Sequence, residues 1–285
     1  MAGRIVISHP NPFVSKVNNM TQHDPANQPQ PNRRKFVLGG AAASAAGLAA
    51  LAGAESLFAQ AGPDDSSPKA APLVGKNEIV LFQGDSITDA GRNREKAGDA
   101  NSTDAMGKGY AWMAASQVLV ESPDAGLKIY NRGISGDKVF QLADRWQTDC
   151  LDLKPNVLSI LVGVNDFAHV HKWKAEGSVE KYESDYHALI QRTKDALPNV
   201  KLIICEPFIL KVGLVDDTWI PGFAEYRAAA RRVAEKAAAP FVEFQAMFDR
   251  AAKIAPPEQW AADGVHPTTF GATLMARWWM KVAGA

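Results

Sequence analysis

A three-layer α/β domain built on a single parallel sheet is the fold this sequence predicts, on two observations. Short apolar runs alternate with longer segments of helical periodicity, and several runs end in turns rich in Gly, Asn or Asp. Regular β/α alternation requires crossover connections, which lay helices over both faces of a parallel sheet. The expected strands are residues 78–83, 127–131, 157–162, 200–205 and 241–244. The expected helices are 109–121, 138–150, 179–197, 223–238 and, last, 268–282. In such sheets ligands bind beyond the carboxyl ends of the strands. The residues just after each strand therefore decide function.

The first run, Ile79 to Phe82, stops at Gly84-Asp85-Ser86. A serine in the sharp turn after a buried strand is presented at the sheet edge. Its hydroxyl is a poor nucleophile near neutral pH and needs an adjacent base, which in turn needs a group to orient it. The segment ADGVHPT supplies both, with Asp263 and His266 close enough for one loop to deliver them. Acyl transfer also requires hydrogen-bond donors facing the developing oxyanion. After the second strand, YNRGISGDKV places Gly133 and Gly136 where backbone N–H groups can approach a ligand. After the third, ILVGVNDF places Asn165 at the same sheet edge as Ser86. Taken singly, Gly-Asp-Ser is ordinary turn chemistry, and Asp-Gly-Val-His-Pro reads equally as a helix entry. Four such segments in order make the case.

Those four blocks resemble the SGNH hydrolases, the GDSL-type esterase superfamily. The resemblance implies that Ser86 in GDSIT is the nucleophile and that its own N–H faces the oxyanion. It implies that Gly136 in ISGD and Asn165 in GVND complete the oxyanion hole, and that Asp263 and His266 are the orienting acid and the base. It covers residues 78–281 and implies a flavodoxin-like five-stranded sheet, in agreement with the independent pattern. Ile87-Thr88 stands where the group's naming motif has Leu. The flanking segments GDSITDAGR, GKGY, NRGISGDKVFQLADRW, LKPNVLSILVGVND and WAADGVHPTTFG look most like acetyl-xylooligosaccharide esterases and related carbohydrate deacetylases. Rival folds lack their motifs. There is no G-x-G-x-x-G after the first strand, no phosphate-binding G-x-x-x-x-G-K-[ST], and no second glycine to make a G-x-S-x-G elbow.

Two long loops are candidates for substrate contact. Residues 89–108 directly follow the serine turn, and residues 211–221 carry Trp219, a candidate sugar-stacking platform. Asp85, beside the nucleophile, is a second candidate contact. His169, His171 and His187 have no metal-binding spacing and read as solvated or helix-face residues. Cys150 and Cys205 make neither a disulfide framework nor a zinc pattern. No metal or organic cofactor is expected.

The front of the chain reads as an export signal. Asn32-Arg33-Arg34-Lys35-Phe36-Val37-Leu38 is a twin-arginine pattern, followed by an Ala/Gly-rich run (39–54) and the cleavage site Ala59-Gln60-Ala61. The alternative is an uncleaved N-terminal anchor, although the run is short and weakly apolar for a membrane span. Translation from Met20 would shorten the long polar region ahead of the arginines. Residues 62–76 read as a linker and 77–285 as the domain. With 31 basic and 31 acidic residues overall, the charge gives no case for nucleic-acid or anionic-membrane partners.

The expected activity is that of an exported, periplasmic or secreted, serine esterase removing acetyl groups from carbohydrate hydroxyls. The alternatives are a lysophospholipase or thioesterase with the same machinery, and a non-catalytic carbohydrate-binding protein on the same fold.

Overall fold

The computed structural model describes residues 72–285. The expected leader (1–61) and most of the expected linker lie outside the described residues. Strands β1 (Ile79–Gly84), β2 (Lys128–Asn131), β3 (Val157–Leu161), β4 (Lys201–Cys205) and β5 (Phe241–Val242) form one sheet in the order β2-β1-β3-β4-β5. Every pairing is parallel. This is the doubly wound, flavodoxin-like order, in which the chain steps outward to β2 and then crosses β1 to β3. Connections diverge on either side of β1, so a crevice opens above its carboxyl end. Gly84 is level with Leu161, which is level with Cys205, so the three central strands finish together.

The helices among the described residues are α1 (Ser86–Asp89), α2 (Thr103–Met106), α3 (Tyr110–Glu121), α4 (Val139–Asp149), α5 (Val164–Trp173), α6 (Val179–Ala196), α7 (Trp219–Ala237), α8 (Phe244–Ala251), α9 (Pro257–Trp260) and α10 (Thr269–Ala283). Side chains alternate across a strand, so neighbours in sequence show which helices cover which face. Phe82 lies edge-on to Tyr110 of α3 and against Trp279 of α10, whose Nε1 donates to Ser159 Oγ at 2.9 Å. The next residue, Gln83, points the other way and accepts from Arg145 of α4. On that side Trp146 Nε1 donates to Thr193 of α6 at 2.9 Å, joining two helices beneath the sheet. Both faces are therefore covered. That is why β3 is buried along its whole length and reads as an unbroken apolar run. Burying one large apolar side chain of this kind contributes roughly 1.5–3 kcal/mol.

Three local expectations are corrected. The last strand stops at Val242 rather than residue 244, because Glu243 is a helix cap and Phe244 opens α8. Phe244, Met247, Phe248 and Ala251 are all buried, a helical spacing that a short β-like run concealed. The segment after β3 is not only a turn: Gly163 adopts φ 137° and the chain enters α5 at once, with Asn165 in its first turn. Trp219 does not sit in an open loop. It is the first residue of α7, is buried, and packs against Phe167 and His171, so it offers no free face to a sugar. Residues 89–108 are anchored by buried Arg92, Ala105 and Met106 but keep exposed positions, Lys108 among them.

Cys150 and Cys205 are free and buried. Among the described residues no helix is long and apolar enough to cross a membrane.

The end of β1 depends on Gly84. It has φ 154°, and a Cβ there would lie 2.3 Å from the carbonyl oxygen of Leu161 and 2.5 Å from Thr88 Oγ1. Gly84→Ala should destabilise the domain by about 1–3 kcal/mol in urea denaturation. An unchanged midpoint would show that β1 and β3 can part here without cost.

Candidate active site

Each block reaches the crevice by its own local device. After Gly84, the Asp85 side chain caps α1 by accepting from Ile87 N–H at 3.0 Å. Ser86 is the first residue of that turn, and its N–H is not taken up by any turn or ladder bond among the described residues. Ala90 closes the turn in the left-handed conformation. His266 arrives from the other end of the domain. Its loop is tied down where Leu210 N–H donates to Gly264 C=O at 2.8 Å and Leu214 N–H to Asp263 C=O at 2.9 Å. Gly264 has φ 86°, and a Cβ there would meet the carbonyls of Leu210 and Val212 within 2.5 Å. Only glycine lets the two loops lie this close.

The structure brings Ser86, His266 and Asp263 together. Ser86 Oγ is 2.8 Å from His266 Nε2, and His266 Nδ1 is 2.7 Å from Asp263 Oδ2. Asp263 Oδ1 accepts two backbone bonds, from Val265 N–H at 2.9 Å and His266 N–H at 2.7 Å. Partial burial pushes the Asp263 carboxyl up, but bonds from the His266 ring and from the two N–H groups outweigh it. The group is held below the usual carboxylate range. An ionised Asp263 fixes the ring with Nδ1 protonated and Nε2 free to accept from Ser86.

Gly136 and Asn165 stand at the same edge. Gly136 adopts φ 91°, with open space where a Cβ would be. Its N–H, like that of Ser86, enters no turn or ladder bond among the described residues. Asn165 spends one amide hydrogen on Asp137 C=O at 3.1 Å, which leaves the other for a ligand.

Residues not singled out from sequence hold these donors in place. Asp89, the last residue of α1, accepts from Ser135 N–H at 2.9 Å while pairing with Arg94. It thereby ties the Gly136 loop to the serine turn. Asn131 donates to Thr88 C=O at 2.6 Å and Met106 C=O at 2.7 Å, and accepts from Gly133 N–H. Asp166 accepts from Val139 N–H at 3.1 Å, and Arg145 holds Asp137 and Asp149. The signal for Asp89 is in GDSITD, an acid three residues after the serine, but its partner 46 residues on was not visible.

Asp85 is corrected as a candidate substrate contact. It is 1% exposed and lies beneath the turn, with Oδ2 lacking a hydrogen-bond partner. His169, His171 and His187 are engaged with Lys138, Thr218 and Glu183 respectively, away from the Ser86 pair. Among the described residues no group of three His, Cys, Asp or Glu side chains is arranged to hold a metal ion. A cavity of about 300 Å³ adjoins Ser86 and His266. A larger groove of about 710 Å³ runs between α3 and α10 but touches none of these residues. The chemistry, not the size, marks the site.

Residues 82–274 match the GDSL-like Lipase/Acylhydrolase family. An acetylxylan esterase of Geobacillus stearothermophilus is 33% identical over 216 residues, 74% of this chain and 96% of that protein. Its crystal structure superposes with a TM-score of 0.68. Structures of that esterase also include catalytic mutants, one at a serine and one at a histidine, separated along the chain almost as Ser86 and His266 are. A protein described as a GDSL-like lipase, from Parabacteroides merdae, shares 46% identity at a TM-score of 0.73, covering 76% of this chain and 99% of its own. Over a shorter stretch, 36% of this chain and 41% of the relative, the lipoprotein YqeF of Bacillus subtilis is 29% identical. The chain belongs to the GDSL-like lipase/acylhydrolase family and is a carboxylic ester hydrolase.

The buried acids beside the site carry a measurable signature. Burial pushes Asp85 up to about 7, with the Ile87 N–H opposing and the Asp166 and Asp137 charges adding. Burial raises Asp166 to about 7 as well, against the Val139 N–H. Between the ordinary aspartate value of 3.8 and about 7 the folded chain therefore keeps protons that the unfolded chain has lost. Their contribution to stability is complete below that window and is lost as pH rises through it. His169 and His187, lowered by burial, act in the opposite direction, so the wild type must be compared with a variant. Asp85→Asn should gain stability relative to wild type between pH 5 and pH 8 in urea titrations. An equal difference at both pH values would show that Asp85 ionises as freely folded as unfolded.

Proposed function

We propose that this protein is an exported serine esterase that removes acetyl groups from carbohydrate hydroxyls through an acyl-enzyme on Ser86. The observation that carries the reading is the 2.8 Å contact between Ser86 Oγ and His266 Nε2, with Asp263 behind the ring. The carbohydrate acetyl ester is suggested by the acetylxylan esterase relative, which this chain matches over nearly all of that protein's length. Export is suggested by the twin-arginine leader in the sequence and by the partial likeness to a lipoprotein.

His266 takes the Ser86 proton as Oγ attacks the ester carbonyl. The N–H groups of Ser86 and Gly136 and the Asn165 amide hold the oxyanion. Collapse of the tetrahedral adduct breaks the bond to the sugar oxygen, which receives the proton from His266 Nε2. Water then attacks the acetyl-Ser86 ester by the same route, releasing acetate and restoring the hydroxyl. Asp263 stays ionised throughout and stabilises the imidazolium.

Purified protein should release acetate from acetylated xylooligosaccharides, and Ser86→Ala should abolish the release. Octanoyl esters should turn over far more slowly than acetyl esters. The reverse preference would favour a lipid acylhydrolase. Asn165→Ala should lower kcat by roughly a hundredfold to a thousandfold with little change in melting temperature, the usual cost of one oxyanion donor. A twofold effect would remove Asn165 from the reaction.

A further inference from the structure

The cavity beside the triad shows which half of the ester goes where. It is walled by Ser86 and His266, by the turn Lys108-Gly109-Tyr110 ahead of α3, and by Thr268, Thr269 and Ala272 at the start of α10. Neither Gly136 nor Asn165 lines it. The cavity thus adjoins the hydroxyl and the imidazole that share the proton, and not the Gly136 and Asn165 donors.

That placement bears on the chemistry. When the tetrahedral adduct collapses, the departing alcohol oxygen must lie within hydrogen-bond reach of the protonated base. The carbonyl oxygen faces the oxyanion donors. The alcohol half of the ester must therefore extend from Ser86 toward His266 and into whatever space adjoins the ring. The space here is about 300 Å³, at the lower end of the range for small-ligand sites.

We infer that this cavity is the leaving-group subsite, that it takes a polyhydroxy alcohol, and that Lys108 and Thr269 are its specificity contacts. The inference rests on the esterase reading above. The lining is mixed. Ile87, Ala90, Pro267 and Ala272 supply apolar wall, suited to the C–H faces of a sugar ring, while Lys108 and Thr269 supply exposed polar groups. The Thr268 hydroxyl is already committed, donating to Gln259 C=O and accepting from Gly271 N–H. Among the described residues no side-chain hydrogen bond or ion pair engages the Lys108 ammonium or the Thr269 hydroxyl. Both are therefore available to substrate hydroxyls. No carboxylate lines the cavity, so Lys108 gives it a positive rim, and that rim also suits an acidic sugar next to the acetylated one.

The test compares two acetyl esters in the full-length protein and in Lys108→Met and Thr269→Val. An acetylated xylooligosaccharide has a leaving group that needs both hydroxyl contacts and a proton. The leaving group of 4-nitrophenyl acetate needs neither. The quantity read is the ratio of kcat/KM for the sugar ester to kcat/KM for the aryl ester. Each substitution should lower that ratio about tenfold, the usual worth of one polar or charge-assisted contact. Both positions are exposed, so melting temperatures should match wild type and exclude misfolding. A ratio unchanged within twofold in both variants would overturn the subsite. Wild-type protein that hydrolyses 4-nitrophenyl acetate but no acetylated sugar would instead overturn the substrate reading, and the polyhydroxy assignment with it.

Discussion

One hydrogen bond, between Ser86 Oγ and His266 Nε2, joins residues 180 positions apart, and the organisation of the domain determines whether it forms. Ser86 is fixed by the end of β1. Its partner is fixed by a loop that must come back across the sheet edge after β5, α8 and α9. Neither residue can be moved independently of the strand or helix that carries it. The parallel sheet supplies the constraint, because β1, β3 and β4 end level and the segment that follows β4 carries the backbone bonds that hold the returning loop.

The loop is held there chiefly by backbone. Gly213 and Gly264 allow the segment after β4 to lie against residues 263–264 with no side chain between them. Asp263 then uses one oxygen on two backbone N–H groups and the other on the imidazole. The carboxylate is thus a structural knot before it is an electrostatic partner. Its depressed pKa has the same cause, since the bonds that anchor it also stabilise its charged form. On the other side of the serine, Asp89 and Asn131 tie α1 to the Gly136 loop, and Asn165 and Asp166 tie α5 to the residues that follow it. Preorganised donors act without reorganisation cost only when held in this way.

Much of this was legible in the residues because the chemistry is written in short segments. Ser86, Gly136, Asn165, Asp263 and His266 each sit where a strand tip or a late loop delivers them, and the structure brings Ser86, Asp263 and His266 into contact. The strand order agrees with the flavodoxin-like expectation. The failures share a physical origin. Trp219 has the composition of a loop around it, but its burial depends on Phe167, which lies 52 positions earlier. The helix α5 was hidden because Gly163 turns the chain so sharply that strand and helix share one apolar run. Asp85 looked like a substrate contact from its neighbour Ser86. Its burial is set by the sheet beneath it, with Asp166 and Asp137 near enough to raise its pKa. Local pattern carries element type and turn chemistry. It does not carry which side chains meet across the fold.

Activation of the Ser86 hydroxyl by the His266 imidazole is read most directly from the rate of labelling by a fluorophosphonate, with the modified residue located by mass spectrometry. A single adduct is expected, on Ser86, with a labelling rate at least about a hundredfold lower in His266→Ala, the smallest contribution expected of a general base. Labelling of Ser86 at an undiminished rate without the imidazole, or an adduct on another residue, would contradict that activation.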